Sequence, residues 1–225
     1  MSRRVLLLRH GRTAWNAQRR FQGQADPPLD EVGRAQAYEV ASLIAALRPG
    51  LLVSSDAARA MQTAEIVGEV AALPVIPEPR LRERGLGHWE GLTRDEVEAR
   101  YPDEFADWVS GRDVTRRGGE TRDEVAARAL AAFEELPAVP IAVLVTHSAT
   151  AMALTNALLG IPQRSHQLGP LANCHWTELF TDPEVPVVPP LNWRLRAHNL
   201  GVPGAVLPLP IRLDADESDA SDADA

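Results

Sequence analysis

The stretch IAVLVTHS, Ile141 to Ser148, is apolar at five successive positions and then turns polar at once. A short run that is apolar on both faces suits a strand whose sheet is covered by helices on both sides. RVLLLRHG, from Arg4, has the same form: four apolar residues closed by Arg9, His10 and Gly11. LLVSS at 51 and the proline-bounded LPVIP at 73 supply two further short strands. Amphipathic stretches separate these strands. Strand–helix–strand repetition predicts an α/β fold: a mostly parallel central sheet with helices on both faces, in three layers α/β/α.

The helices follow from spacing and caps. Residues 28–48 place Val40, Leu43, Ile44 and Leu47 on one face, and Pro49-Gly50 end the run. Ser55 or Asp56 is expected to cap a helix over about 57–71, with Ala60, Ala64 and Val67 inward. TRDE occurs at 93 and again at 121, and each fits a capping box. The second should run to Leu136 with Val125, Ala129, Ala132 and Phe133 inward. Ser148 is expected to cap a helix to about Leu159. HWTELF and WRLRAHNL alternate and suggest edge strands. The proline-rich region 182–212 is expected to wrap the body or form an extended hairpin around the last strand.

The length of 225 residues suits a single domain over 1–212. The last twelve residues carry six acids and no base, and predict a disordered acidic tail over 213–225. Removing those acids takes the formal charge from −8 to −2, so nucleic acid is not the expected partner. No apolar run approaches a membrane span, and the N-terminus lacks the apolar core of a secretory signal. A cytoplasmic location is therefore expected. All 23 basic residues are arginine, which excludes Schiff-base and Walker-loop lysines. The one cysteine, Cys174, permits neither an internal disulfide nor a thiolate metal cage.

Ligands of a parallel sheet bind beyond the carboxyl ends of its strands. Arg9-His10 follows the first strand, Arg59 opens the helix after the second, and His147 follows the central one. Two arginines, two histidines and two helix N-termini should thus converge, an arrangement suited to a dianion. A histidine among arginines is pushed toward its neutral, nucleophilic form. Attack on a gripped phosphorus would give a phosphohistidine. The leaving alkoxide needs a proton donor, and the stretch RLRERGLGHWEGLT offers Glu83 and Glu90. Glu83 is preferred because it lies just after a predicted strand end.

In these residues the chain resembles the histidine phosphatase superfamily, also called phosphoglycerate mutase-like. The resemblance rests on Arg9-His10-Gly11, Thr13, Trp15-Asn16 and Arg20-Phe21-Gln22-Gly23. LVSSDAARAMQTA, LRERGLGHWEGLT, GGET at 118 and VLVTHS then follow in order. It implies His10 as the phosphorylated nucleophile, with Arg9, Arg59 and His147 binding the phosphoryl group and Glu83 donating the proton. His147 would donate a ring hydrogen bond to a phosphoryl oxygen. Asn16, Gln22 and the backbone of Gly23 would complete the phosphate pocket, with Thr13 and Ser148 as further phosphate- or substrate-binding residues. The resemblance implies no cofactor and no metal. Arg12 stands where the family often has Glu, and Ser148 where it often has Gly. Leu86 stands where the mutases usually have Tyr, and the span from Glu83 to His147 is compact. Both favour the phosphatase branch. Within that branch the chain resembles actinobacterial-type members, including the glucosyl-3-phosphoglycerate phosphatases.

The expected activity is metal-independent hydrolysis of a small phosphomonoester, such as a sugar phosphate or phosphoglycerate. A cofactor-dependent phosphoglycerate mutase and a non-catalytic phosphate-binding module are the alternatives. A zinc hydrolase is disfavoured, since no HExxH or Cys/His cluster is present. A homodimer is left open. His88, His166, His175 and His198 lack such company and are expected to be structural. Arg19, Arg116 and Arg117 are expected on a solvated face, with the pocket rim as the alternative. Most tryptophans are expected in the core, with Trp15 and Trp89 as candidates for the pocket wall.

Overall fold

The computed structural model describes residues 2–165, 167–182 and 193–202. Six strands form one sheet: β1 (Arg4–Arg9), β2 (Leu51–Ser54), β3 (Val75–Pro77), β4 (Ile141–Thr146), β5 (Trp176–Thr181) and β6 (Trp193–Leu200). Their order is β3-β2-β4-β1-β5-β6. The first four are mutually parallel, while β5 runs antiparallel to β1 and β6 antiparallel to β5. The predicted parallel sheet is therefore correct at its centre. HWTELF is not an edge strand, because β5 lies between β1 and β6.

The two-residue side-chain period of the strands sorts the core into two layers. Val5, Leu7, Ala142 and Leu144 pack against Ala129 and Ala132 of α6 (Arg122–Glu134) and Ala151 and Leu154 of α7 (Ser148–Leu159). Leu6, Leu8, Val143 and Val145 face the other way. They meet Val40 and Ile44 of α2 (Glu31–Ala46) and Ala60 and Ala64 of α3 (Ala58–Ala71). Burying each such leucine contributes about 2 kcal/mol. A short helix, α1 (Ala14–Ala17), follows β1. Between β3 and α6, α4 (Arg94–Arg100) and α5 (Pro102–Val109) close over Trp89, Val97, Phe105 and Val114.

Both predicted capping boxes are present, at Thr93 and Thr121. Other ends differ from expectation. α2 begins at Glu31, with Asp30 accepting from Gly33 N. Its buried face is Gly33, Ala37, Val40, Ala41 and Ile44, while Leu43 is exposed and Leu47 half-buried. Neither Ser55 nor Asp56 caps α3. Asp26, from a distant loop, accepts from Ala58 N at 2.7 Å, and Asp56 pairs with Arg82. Ser148 does not cap α7 either. It is the first helical residue, and the cap position falls on His147, whose side chain makes no capping bond. The carboxylate of Glu83 accepts from Ala149 N and Thr150 N instead, both at 3.2 Å.

No helix among the described residues is long and apolar enough to cross a membrane. The expected acidic tail at 213–225, most of the proline-rich region and His166 lie outside the described residues.

Candidate active site

β1 and β4 are parallel neighbours with Arg9 opposite Thr146, so His10 and His147 leave the sheet side by side. Their ring centroids are 5.1 Å apart. β2 flanks β4, and the first turn of α3 beyond it brings in Arg59. The four residues that the sequence assigned to one crevice do meet there.

His10 is buried, with Nδ1 2.7 Å from the carbonyl oxygen of Gly11. A carbonyl only accepts, so Nδ1 carries the proton and Nε2 keeps a free lone pair. Burial, then Arg59, then Arg9 hold the His10 pKa well below the usual 6.5. The ring is therefore neutral at neutral pH.

Arg59 is 1% exposed, and each of its three nitrogens donates one bond. Nη1 donates to Ala25 O at 2.7 Å, Nη2 to Gly23 O at 2.8 Å, and Nε to His147 Nδ1 at 3.2 Å. That last bond fixes the His147 tautomer with its proton on Nε2, which lies 2.9 Å from Ser55 Oγ. Burial, with Arg59 next, keeps His147 neutral as well. A bond from His147 to a phosphoryl oxygen thus requires its N–H to leave Ser55. Arg9 donates Nη1 to Leu171 O, while its buried Nε has no partner among the described residues. An unpaired guanidinium N–H in this position suits an incoming anion.

Thr13, Asn16 and Gln22 form a small amide network. Thr13 N–H donates to Asn16 Oδ1 at 3.1 Å, and Thr13 Oγ1 donates to Gln22 Oε1 at 3.1 Å. Both amide oxygens are consumed, so both NH2 groups are left as donors without partners among the described residues. Gly23 adopts a positive φ of 52°, and a Cβ there would lie 2.2 Å from Glu90 Oε1.

The two acids separate clearly. Glu90 accepts from Gln24 N, Ala25 N and Leu86 N, so it braces the turn after Gly23. Glu83 stands at the N-terminus of α7, close enough to oppose the effect of burial on both Arg9 and Arg59. Among the described residues, its Oε1 accepts from Arg84 N and from Thr150, and Oε2 only from Ala149 N. Beside it opens a cavity of about 450 Å³ whose wall includes Phe21, Arg84, Trp108, Arg122 and Asn156. Ser148 lines this cavity. Among the described residues no three His, Cys, Asp or Glu side chains converge to hold a metal ion.

Sequence reasoning missed the loop before β5. Asn173 Nδ2 donates to His10 O at 3.0 Å and Asn16 Oδ1 at 3.3 Å. Cys174 N donates to Arg9 O at 3.1 Å. Burial pushes the Cys174 thiol up to about 12, so it stays protonated and is no rival nucleophile. Arg12 turns away to Asp30 at 2.8 Å. Arg116 pairs with Asp107, and Arg19 is exposed. Arg117 is on neither the solvated face nor the rim: it is buried, with its guanidinium 5.1 Å from the ring centre of Trp89. Trp89 is fully buried, and the aromatic residues at the cavity are Phe21 and Trp108. His88 meets Glu104, His175 Nδ1 bonds Asn173 O while its carbonyl accepts from Arg9 N, and His198 bonds Thr177.

Residues 5–194 match the family model of the histidine phosphatase superfamily, branch 1. The chain belongs to this superfamily. Among superfamily members, it is 38% identical over 213 residues to glucosyl-3-phosphoglycerate phosphatase of Mycolicibacterium vanbaalenii, covering 88% of this chain and 94% of that protein. A probable phosphoglycerate mutase of Yersinia pestis is 37% identical over 174 residues, covering 76% and 81%. The solved native structure of a mycobacterial glucosyl-3-phosphoglycerate phosphatase superposes with a TM-score of 0.77 at 38% identity, over 88% of this chain and 99% of that one.

Proposed function

We propose that this phosphatase moves the phosphoryl group of a small sugar-phosphate or phosphoglycerate-type ester onto His10 Nε2 and then onto water. The observation that carries the reading is the His10 ring, neutral and pinned at Nδ1, with Nε2 free among Arg9 and Arg59. In the first step the N–P bond forms as the ester P–O bond breaks. A protonated Glu83 gives its proton to the leaving alkoxide from Oε2, the oxygen with one bond to the protein. The positive charge arising on the ring is shared through Nδ1–H with Gly11 O. In the second step Glu83 takes a proton from water, the water oxygen attacks phosphorus, and the N–P bond breaks. Inorganic phosphate leaves and His10 is neutral again. Arg9, Arg59 and the NH2 groups of Asn16 and Gln22 balance charge on the equatorial oxygens.

The cavity beside Glu83 is where the leaving group would sit. Phe21 and Trp108 offer ring faces and Asn156 an amide, a wall suited to a sugar, while Arg84 and Arg122 suit a carboxylate. That combination agrees with a glucosylated phosphoglycerate, the substrate named for the relatives. Leu86 packs in the apolar cluster around Trp89, which leaves the mutase tyrosine without an equivalent.

The test is rapid acid-free quenching of the protein with a ³²P-labelled ester. A base-stable, acid-labile adduct that His10→Ala abolishes is the expected result, with inorganic phosphate as product and full turnover in chelator. Wild-type turnover in His10→Ala refutes the nucleophile, and release of an isomerised ester in place of phosphate indicates the mutase.

A further inference from the structure

The third residue of the GGET element is Glu120, which neither lines the cavity nor touches the His10 cluster, yet bonds to both turns that frame the site. Its Oε2 accepts from Gly85 N at 2.8 Å, and its own N–H donates to Gly85 O at 2.9 Å. Gly85 lies two residues after Glu83, so the acid-bearing turn is held at donor and acceptor alike. The same Oε2 accepts from Gln24 Nε2 at 3.2 Å, directly after Gly23 on the phosphate-side turn. Gln24 Nε2 also lies 3.3 Å from Glu83 O. Arg128 of α6 closes the arrangement. It donates Nε to Glu120 Oε1 at 2.7 Å and Nη2 to Oε2 at 3.0 Å. Its guanidinium further donates to Arg80 O at 2.6 Å and Glu83 O at 3.1 Å. Backbone packing leaves no slack, since a Cβ on Gly119 would sit 2.2 Å from Gly85 O.

We propose that Glu120 is a positioning residue for the proton donor, tying the Glu83–Gly85 turn to the turn at Gln24 so that Glu83 Oε2 stands at a fixed place relative to His10. The proposal rests on Glu83 being the acid. Four N–H donors point at the two oxygens of Glu120. Only a group that accepts at both oxygens satisfies them. Glutamine has the same shape but would turn an NH2 against Arg128 or Gly85. Misplacing a proton donor by an ångström costs rate where the leaving group needs the proton, and little where it does not.

The experiment compares Glu120→Gln with Glu83→Gln on an alkyl phosphate and on 2,4-dinitrophenyl phosphate, whose leaving group needs no proton. Glu120→Gln is expected to lower kcat on the alkyl ester by about 10-fold or more and on the aryl ester by under about 3-fold. Inhibition by vanadate should stay within about 2-fold, since Arg9, Arg59 and Asn16 are untouched. Glu83→Gln should show the same selectivity, more strongly. Equal losses on both esters, or none, in Glu120→Gln overturn the proposal while a selective Glu83→Gln upholds the acid. A non-selective Glu83→Gln overturns the acid itself, and the proposal with it. Gln24→Ala, at an exposed residue, decides should Glu120→Gln not fold: an alkyl-selective loss of about 3-fold supports positioning, and a uniform or absent loss refutes it.

Discussion

Two imidazoles, His10 and His147, are buried beside Arg59 and Arg9, and both have pKa values well below 6.5 in the folded chain. In the unfolded chain each returns to about 6.5. The unfolded state therefore binds more protons as the pH falls below that value, and folding stability declines with it. Stability is full above about pH 6.5. Below it, each ring that stays neutral in the fold costs about 1.4 kcal/mol per pH unit. Integrated from pH 7 to pH 5, that is about 2 kcal/mol per ring, or about 4 kcal/mol for the pair. Carboxylates contribute little in this window, because unfolded Asp and Glu titrate near 3.9 and 4.3. Urea unfolding at half-unit pH steps measures the slope, and His147→Asn should halve it. An unfolding free energy equal at pH 7 and pH 5, or a slope that His147→Asn leaves unchanged, refutes the account of neutral buried rings. The same depression keeps Nε2 of His10 competent below neutral pH, so kcat/KM should hold down to pH 6 rather than fall with an ordinary imidazole.

Three further outcomes are expected. Gly23→Ala places a methyl group at a positive φ against Glu90, and should cost about 1–3 kcal/mol in urea unfolding and raise KM. A variant as stable as wild type would show that this turn is not as described. Thr121→Ala removes the cap of α6 and should cost about 1 kcal/mol, read as a lowered urea midpoint at unchanged m. Trp89→Ala empties the centre of the α4–α5 cluster and should cost about 3–5 kcal/mol by thermal or urea unfolding.

The sequence was most legible where one residue's local environment decides its place. IAVLVT and VLLL are apolar on both faces because helices cover both faces, so their central position could be read directly. The two Thr-x-x-Glu boxes are self-contained and formed as expected. Misreadings came from partners far away in the chain. Asp26 caps α3 and Glu83 fills the end of α7, each across a gap that no local pattern reveals. α2 packs through Gly33, Ala37 and Ala41, whose small size lets it approach its neighbours, while Leu43 faces out. β5 looks like an edge because Thr177 and Glu178 are polar. Both are buried, and Arg4 and His198 satisfy them. In the site, the histidines and arginines were found because strand ends collect ligands. The Asn173–Cys174 loop was not, since its role lies in hydrogen bonds to Arg9, His10 and Asn16 rather than in a recognisable spacing.

The pairing of Arg9 with Thr146 joins two stretches separated by more than half the length of the chain. Neither histidine has its neighbour until that central seam has zipped. No proteolytic fragment ending between them inherits a share of the chemistry. On the mechanism proposed above, turnover is an all-or-none reporter of a completed sheet, and a lesion far from the crevice that unseats β1 from β4 should silence the protein as surely as the loss of His10.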